Sequence, residues 1–193
     1  MVDMTLEADL DWAPRGPVTV ADLLDLPDEP DGEGPTPRYE LIDGMLIAMA
    51  PADVRHTYVA SGLREVLRHA APPDLIVIQA PTGAIVDDIT WVEPDLFVAP
   101  RSALEHRYFE GIPLLAVEVL SPSNRLYDLT TKFSRYERAG VPSYWIVDPT
   151  ELRLVAWELR DGRYAEVADV GAGQAWTATT PFEVTVRPGA LLD

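Results

Sequence analysis

Residues 114–147 read LLAVEVLSPSNRLYDLTTKFSRYERAGVPSYWIV, and this stretch decides the fold. Residues 114–120 form a continuous apolar run broken only by Glu118. Pro122 and Asn124 then mark the entry to a helix over residues 125–139, with Leu126, Leu129, Phe133 and Tyr136 as its apolar stripe. Gly140 sits where a left-handed C-terminal cap is expected, and residues 143–147 read as a second buried strand. A strand–helix–strand unit this short predicts parallel neighbours joined by a right-handed crossover. The two strands should lie side by side. Their unbroken apolar character suits a sheet covered on both faces.

Working outward, residues 55–70 show helical spacing, with Val59, Leu63, Val66, Leu67 and Ala70 on one face and Pro72-Pro73 as the stop. Two strand-like runs follow, residues 75–79 and 95–99. Upstream, residues 39–42 and 45–49 flank Asp43-Gly44, a favoured two-residue hairpin turn. Thr19 reads as the N-cap of a short helix over residues 20–26 that ends at Pro27. The tail is rich in strands, at residues 152–159, 164–170 and 182–186, with Asp161-Gly162 as a further turn. No internal repeat is visible. The expected class is therefore α/β (α+β): a mixed sheet core built as helix, three strands, helix, strand, with flanking β-hairpins.

At 193 residues the chain suits one domain with a real core. Between Arg15 and Arg38 lie Asp22, Asp25, Asp28, Glu29, Asp31 and Glu33 with Pro27, Pro30, Pro35 and Pro37 and no basic residue. Residues 1–37 are therefore expected to be an acidic, proline-rich arm carrying the short helix, and residues 38–193 the folded domain. No apolar run approaches the ~20 residues of a membrane helix, and no secretory leader is recognisable. Cysteine is absent, which excludes disulfides, zinc–thiolate sites and cysteine nucleophiles. The expected location is cytoplasmic. The net charge of −17 opposes nucleic-acid binding, whose affinity rests largely on Lys and Arg at phosphates.

Two carboxylates stand out against apolar surroundings. Asp95 follows a proline in WVEPDLFVAP (91–100) and shares a strand face with Phe97. Glu118 lies between Val117 and Val119 in one of the most hydrophobic strands. Either alone could meet an arginine or a backbone N–H. Two on adjacent central strands suit Mg²⁺ or Mn²⁺, since Mg²⁺ takes one or two carboxylates and keeps several waters. Glycine-rich phosphate loops, a Rossmann fingerprint, a nucleophile elbow and any histidine metal motif are all missing from the sequence.

These residues stand in a wider pattern. YELIDG (39–44), His56 at a helix start, PDLFV (94–98), LLAVEVLSPS (114–123), Lys132 with Tyr136, and GVPSYWIVDP (140–149) together resemble the Uma-type family of restriction-endonuclease-like proteins, within the PD-(D/E)XK nuclease superfamily. The resemblance spans residues 38–165. It implies a restriction-endonuclease-like fold and a Mg²⁺- or Mn²⁺-dependent endonuclease acting on DNA, with Asp95 and Glu118 as metal ligands; the expected assembly is a homodimer. The superfamily lysine two residues after the glutamate is replaced by Leu120. The resemblance implies that this lysine has moved to the next helix, as Lys132.

Several roles stay open on the residues alone. Lys132 either reaches the end of strand 114–120 or pairs with Asp128, four residues earlier, on a solvated face. Glu40 is either an additional acid of the site or an exposed strand carboxylate. His56 faces the sheet, as a core residue or as a base or ligand, and Tyr136 stands one turn from Lys132. Tyr144 and Trp145 read as packing, and Ser121 as a turn or cap residue. The alternative function is a nuclease fold kept without catalysis, binding DNA or a protein partner.

Overall fold

The computed structural model describes residues 16–25, 38–122 and 124–193. The helix α1 (Val20–Leu24) opens this part of the chain, closed by a capping box between Thr19 and Asp22. The hairpin β1 (Arg38–Ile42) and β2 (Met45–Met49) follows. Asp43 and Gly44 both adopt positive φ, 51° and 78°, as the two-residue turn demands. Helix α2 (Val54–Ala70) is capped by Asp53 and buries His56, Val59, Ala60, Leu63 and Leu67 on one face. Then come β3 (Leu75–Gln79), β4 (Ala84–Asp87), β5 (Thr90–Val92), β6 (Leu96–Pro100), β7 (Phe109–Glu110) and β8 (Leu115–Val119). The chain continues through α3 (Arg125–Tyr127), a π-helical turn (Asp128–Lys132) and α4 (Phe133–Ala139). It ends with β9 (Ser143–Asp148), β10 (Arg153–Arg160), β11 (Arg163–Val170), β12 (Trp176–Ala178) and β13 (Val184–Val186).

A six-stranded mixed sheet in the order β11-β10-β9-β8-β6-β3 forms the centre. β8 and β9 pair in parallel, Glu118 opposite Ile146, as the strand–helix–strand unit predicts. One face of this sheet buries Leu96, Val98, Leu115, Val117, Val119 and Val147 against α2 and the C-terminal hairpin β12–β13. The other face buries Ala116, Leu120, Tyr144 and Ile146 beneath Tyr136 and the second sheet. That second sheet, β2-β1-β5-β4-β7, extends the hairpin by three short strands that the sequence pattern did not reveal. The described residues of the acidic arm pack on it: Val18 and Val20 lie against Leu41 and Trp91. Val18 N–H donates to Gly44 and Val20 N–H to Asp88. Pro27 and the acidic residues from 28 to 33 lie outside the described residues.

The second helix needs a correction. Residues 125–139 are not one α-helix, and Leu126 and Leu129 do not join a buried stripe; they are 75% and 39% exposed. The π turn widens the helix by one residue and rotates the inward face. Tyr136 and the half-buried Phe133 keep their inward places, and Asp128, Lys132 and Arg135 take the others. The face is polar because it meets the acidic end of β8, not the sheet's apolar middle. Gly140 caps the helix at φ 86° as expected. Among the described residues no helix is long and apolar enough to cross a membrane.

Candidate metal centre

Strand geometry brings the acids together. Asp95 immediately precedes β6 and Glu118 is the fourth residue of β8, its neighbour in the sheet. Asp95 Oδ2 accepts a hydrogen bond from the Val119 N–H at 2.8 Å and lies 3.0 Å from His56 Nε2. His56 is set by the first turn of α2, whose cap Asp53 accepts its backbone N–H. Burial lowers the pKa of His56, but Asp95 and then Asp53 outweigh it and raise the net value.

Lys132 is the hub. Its side chain is 1% exposed, and Nζ lies 2.9 Å from both Glu118 Oε1 and Glu40 Oε1. Asp128 Oδ1 stands further off, at 3.8 Å. Glu118 Oε1 also accepts the Tyr136 hydroxyl at 2.9 Å. Glu40 is fully buried and takes the Glu93 N–H at 2.7 Å and the Tyr127 hydroxyl at 3.1 Å. Lys132 also lies 5.5 Å above the Tyr127 ring, a cation–π contact. Burial works against the Lys132 charge, yet Glu118, Glu40, Asp128 and Asp95 together hold its pKa well above the ordinary lysine value. Glu118 is pushed upward by burial and by the neighbouring acids, with Lys132 opposing. The surplus of acids raises both groups, and for Glu118 burial adds the larger part.

The chain has fourteen arginines and one lysine, and that lysine is Lys132. Surface cations are arginine throughout; the compact ammonium is kept for the most buried position. Lysine usage was a signal in the sequence that spacing alone did not bring out.

Glu40, an open choice by sequence, is internal to this network. The solvated-face alternative for Lys132 does not hold, because both Lys132 and Asp128 are buried. His56 faces Asp95, and Tyr136 faces Glu118. Tyr144 packs against Tyr136 and donates its hydroxyl to the Asp128 carbonyl, while Ser121 Oγ accepts the Asn124 N–H. Asp128, Tyr127 and Glu93 did not stand out in the sequence as site residues; the π turn that swings Asp128 and Tyr127 inward has no sequence signature of its own.

Asp95, Glu118, Asp128, Lys132, His56, Arg38, Ser121 and Asn124 line one pocket with about 30 Å³ of interior space. That is room for a small ion or one to two waters, and far too little for a nucleotide. Among the described residues no three His, Asp or Glu side chains are arranged to enclose an ion by themselves. Mg²⁺ does not require three, since it binds through one or two carboxylates and retains waters. The donors present, the Asp95 and Glu118 carboxylates, are hard oxygens in a surplus of negative charge. The residues fit a small divalent cation.

A mixed central sheet with Asp and Glu at the ends of adjacent strands defines a restriction-endonuclease-like α+β protein. The family model Uma2, described as "Putative restriction endonuclease", matches residues 20–188, and the chain belongs to that family. Among solved structures it is similar to "a putative nuclease belonging to DUF820 from Anabaena variabilis ATCC 29413". The two share a TM-score of 0.69 and 17% identity, over 91% of this chain and 98% of that one. No curated protein matches.

Proposed function

We propose that this protein is a metal-dependent nuclease that hydrolyses phosphodiester bonds of DNA. The observation that carries the reading is the Lys132 ammonium, buried at 2.9 Å from both Glu118 and Glu40 beside the Asp95 carboxylate. Asp95 and Glu118 would hold Mg²⁺ or Mn²⁺, which supplies Lewis-acid charge and a more acidic bound water. The Val119 N–H and His56 fix the Asp95 carboxylate in place, and Tyr136 and Lys132 fix Glu118. Lys132 uses two of its three N–H groups on carboxylates, leaving one for a water or phosphate oxygen in the pocket. Glu40 keeps the ammonium charged and in position.

The acidic surface does not exclude DNA, because arginines stand around the pocket. Arg38 lines it, paired with Glu93 at 2.6 Å. Arg55 and Arg125 are the chain neighbours of the lining residues His56 and Asn124. They bind the Pro149 carbonyl and the Asp148 carboxylate, at 2.6 and 2.7 Å. All three can rearrange toward phosphates on a bound duplex.

Plasmid and short duplex DNA incubated with Mg²⁺ or Mn²⁺ should be cut by the parent chain. Asp95→Ala and Glu118→Ala should lose cutting by at least about 100-fold with the fold retained by circular dichroism. Absence of cutting by the parent with every divalent ion tried contradicts the proposal. The net charge of −17 favours a second reading, a binding protein without catalysis. It predicts no divalent-ion binding in a calorimetric titration.

A further inference from the structure

Each buried acid around Lys132 has its donors, except one. Glu40 receives a backbone N–H, a tyrosine hydroxyl and the ammonium; Glu118 receives a tyrosine hydroxyl and the ammonium. The Asp128 side chain is 3% exposed, yet Oδ1 has no hydrogen-bond donor. Lys132 Nζ lies 3.8 Å away, beyond hydrogen-bond reach, and is already committed to the two glutamates. A buried carboxyl oxygen without a donor costs stability, and a bound water, an ion or a catalytic role accounts for such a group where a native fold keeps it.

The local backbone carries the same message. Asp128 opens the π turn Asp128–Lys132, a geometry rare in helices and concentrated at functional sites. The turn points Asp128 and Lys132 into the pocket and leaves Leu126 and Leu129 at the surface. The pocket's space suits one or two waters, which could supply the missing donor.

We infer that Asp128 is the group that holds the attacking water and takes its proton, resting on the phosphodiesterase reading above. As the water oxygen bonds to phosphorus, one proton passes to the Asp128 carboxylate. The bond from phosphorus to the leaving sugar oxygen breaks, that oxygen takes a proton from solvent, and Asp128 later releases its own to solvent. The sum is one phosphodiester and one water giving a phosphate monoester and an alcohol. Burial raises the Asp128 pKa above the ordinary aspartate value, with Lys132 and His56 opposing and Asp95 and Glu40 adding to the rise.

The test compares Asp128→Asn with the parent in full-length protein. Mn²⁺ affinity should stay within about threefold, the cleavage rate should fall about 100-fold, and the acid limb of the parent's pH–rate profile should disappear. The melting temperature should rise by about 3 °C, because the asparagine removes a surplus buried acid whose Oδ1 lacks a hydrogen-bond donor. Unchanged cleavage and pH profile in Asp128→Asn, with an active parent, overturns the role of Asp128 alone. A fall in melting temperature also overturns it, since that marks a structural counter-ion of Lys132. An inactive parent overturns the phosphodiesterase reading, and the proton transfer with it.

Discussion

Lys132 is the residue on which the site's charge balance turns. A buried ammonium facing several carboxylates is stable only while the acids stay within reach; removing it leaves Glu40 and Glu118 buried without a counter-ion. Lys132→Met should therefore lower unfolding free energy by about 3–5 kcal/mol in urea titrations, more than a surface substitution would. Lys132→Arg should not restore the parent, because a planar guanidinium cannot place a point charge between the two glutamates. A Lys132→Met protein as stable as the parent would mean the network contributes little to the fold. Tyr136 and Tyr127 hold the glutamates from the other side, and burial raises the pKa of both hydroxyls, so they act as donors at any working pH.

At the level of elements, Gly140 closes α4 and leads the chain into β9. Gly140 has φ 86°, and a Cβ there would meet nothing within 4 Å, so a side chain costs only backbone strain. Gly140→Ala should lose about 1 kcal/mol of stability by denaturant titration, with metal binding unchanged. No loss would mean the cap relaxes freely. Much of this level was legible in the sequence. The parallel β8–β9 pair, the β1–β2 turn at Asp43-Gly44 and the start of α2 follow from apolar runs and glycine chemistry. Asp95 and Glu118 were visible because charge is conspicuous inside an apolar strand. The π turn was not, since Leu126, Leu129, Phe133 and Tyr136 satisfy α-helical spacing; only tertiary packing against the acidic end of β8 turns Leu126 and Leu129 outward. Strands as short as β5 and β7 carry too few residues for alternation to register. Glu40 was ambiguous because YELIDG alternates like any half-exposed hairpin, and its burial comes from the distant Glu93, Tyr127 and Lys132.

For the whole molecule, the question is how a chain of net charge −17 meets a polyanion. Long-range repulsion is screened beyond about 8 Å at physiological ionic strength, so the local arginines decide the encounter. Binding of duplex DNA by an uncut Asp95→Asn background should weaken steeply with salt. Adding Arg55→Ala and Arg125→Ala should reduce the slope of log affinity against log salt by about 1 for each phosphate no longer neutralised. Unchanged slopes would place the DNA on another face.

The central claim, a divalent cation held by Asp95 and Glu118 beside a buried ammonium, can be read from a single nucleus. With one lysine in the chain, protein labelled with ¹⁵N-lysine gives one side-chain ammonium resonance, from Lys132. Titrating Mn²⁺ into this protein should broaden that resonance saturably in the parent and leave it sharp in Asp95→Asn and Glu118→Gln, both checked for folding. A Lys132 resonance that stays sharp in the parent at millimolar Mn²⁺ would contradict the account.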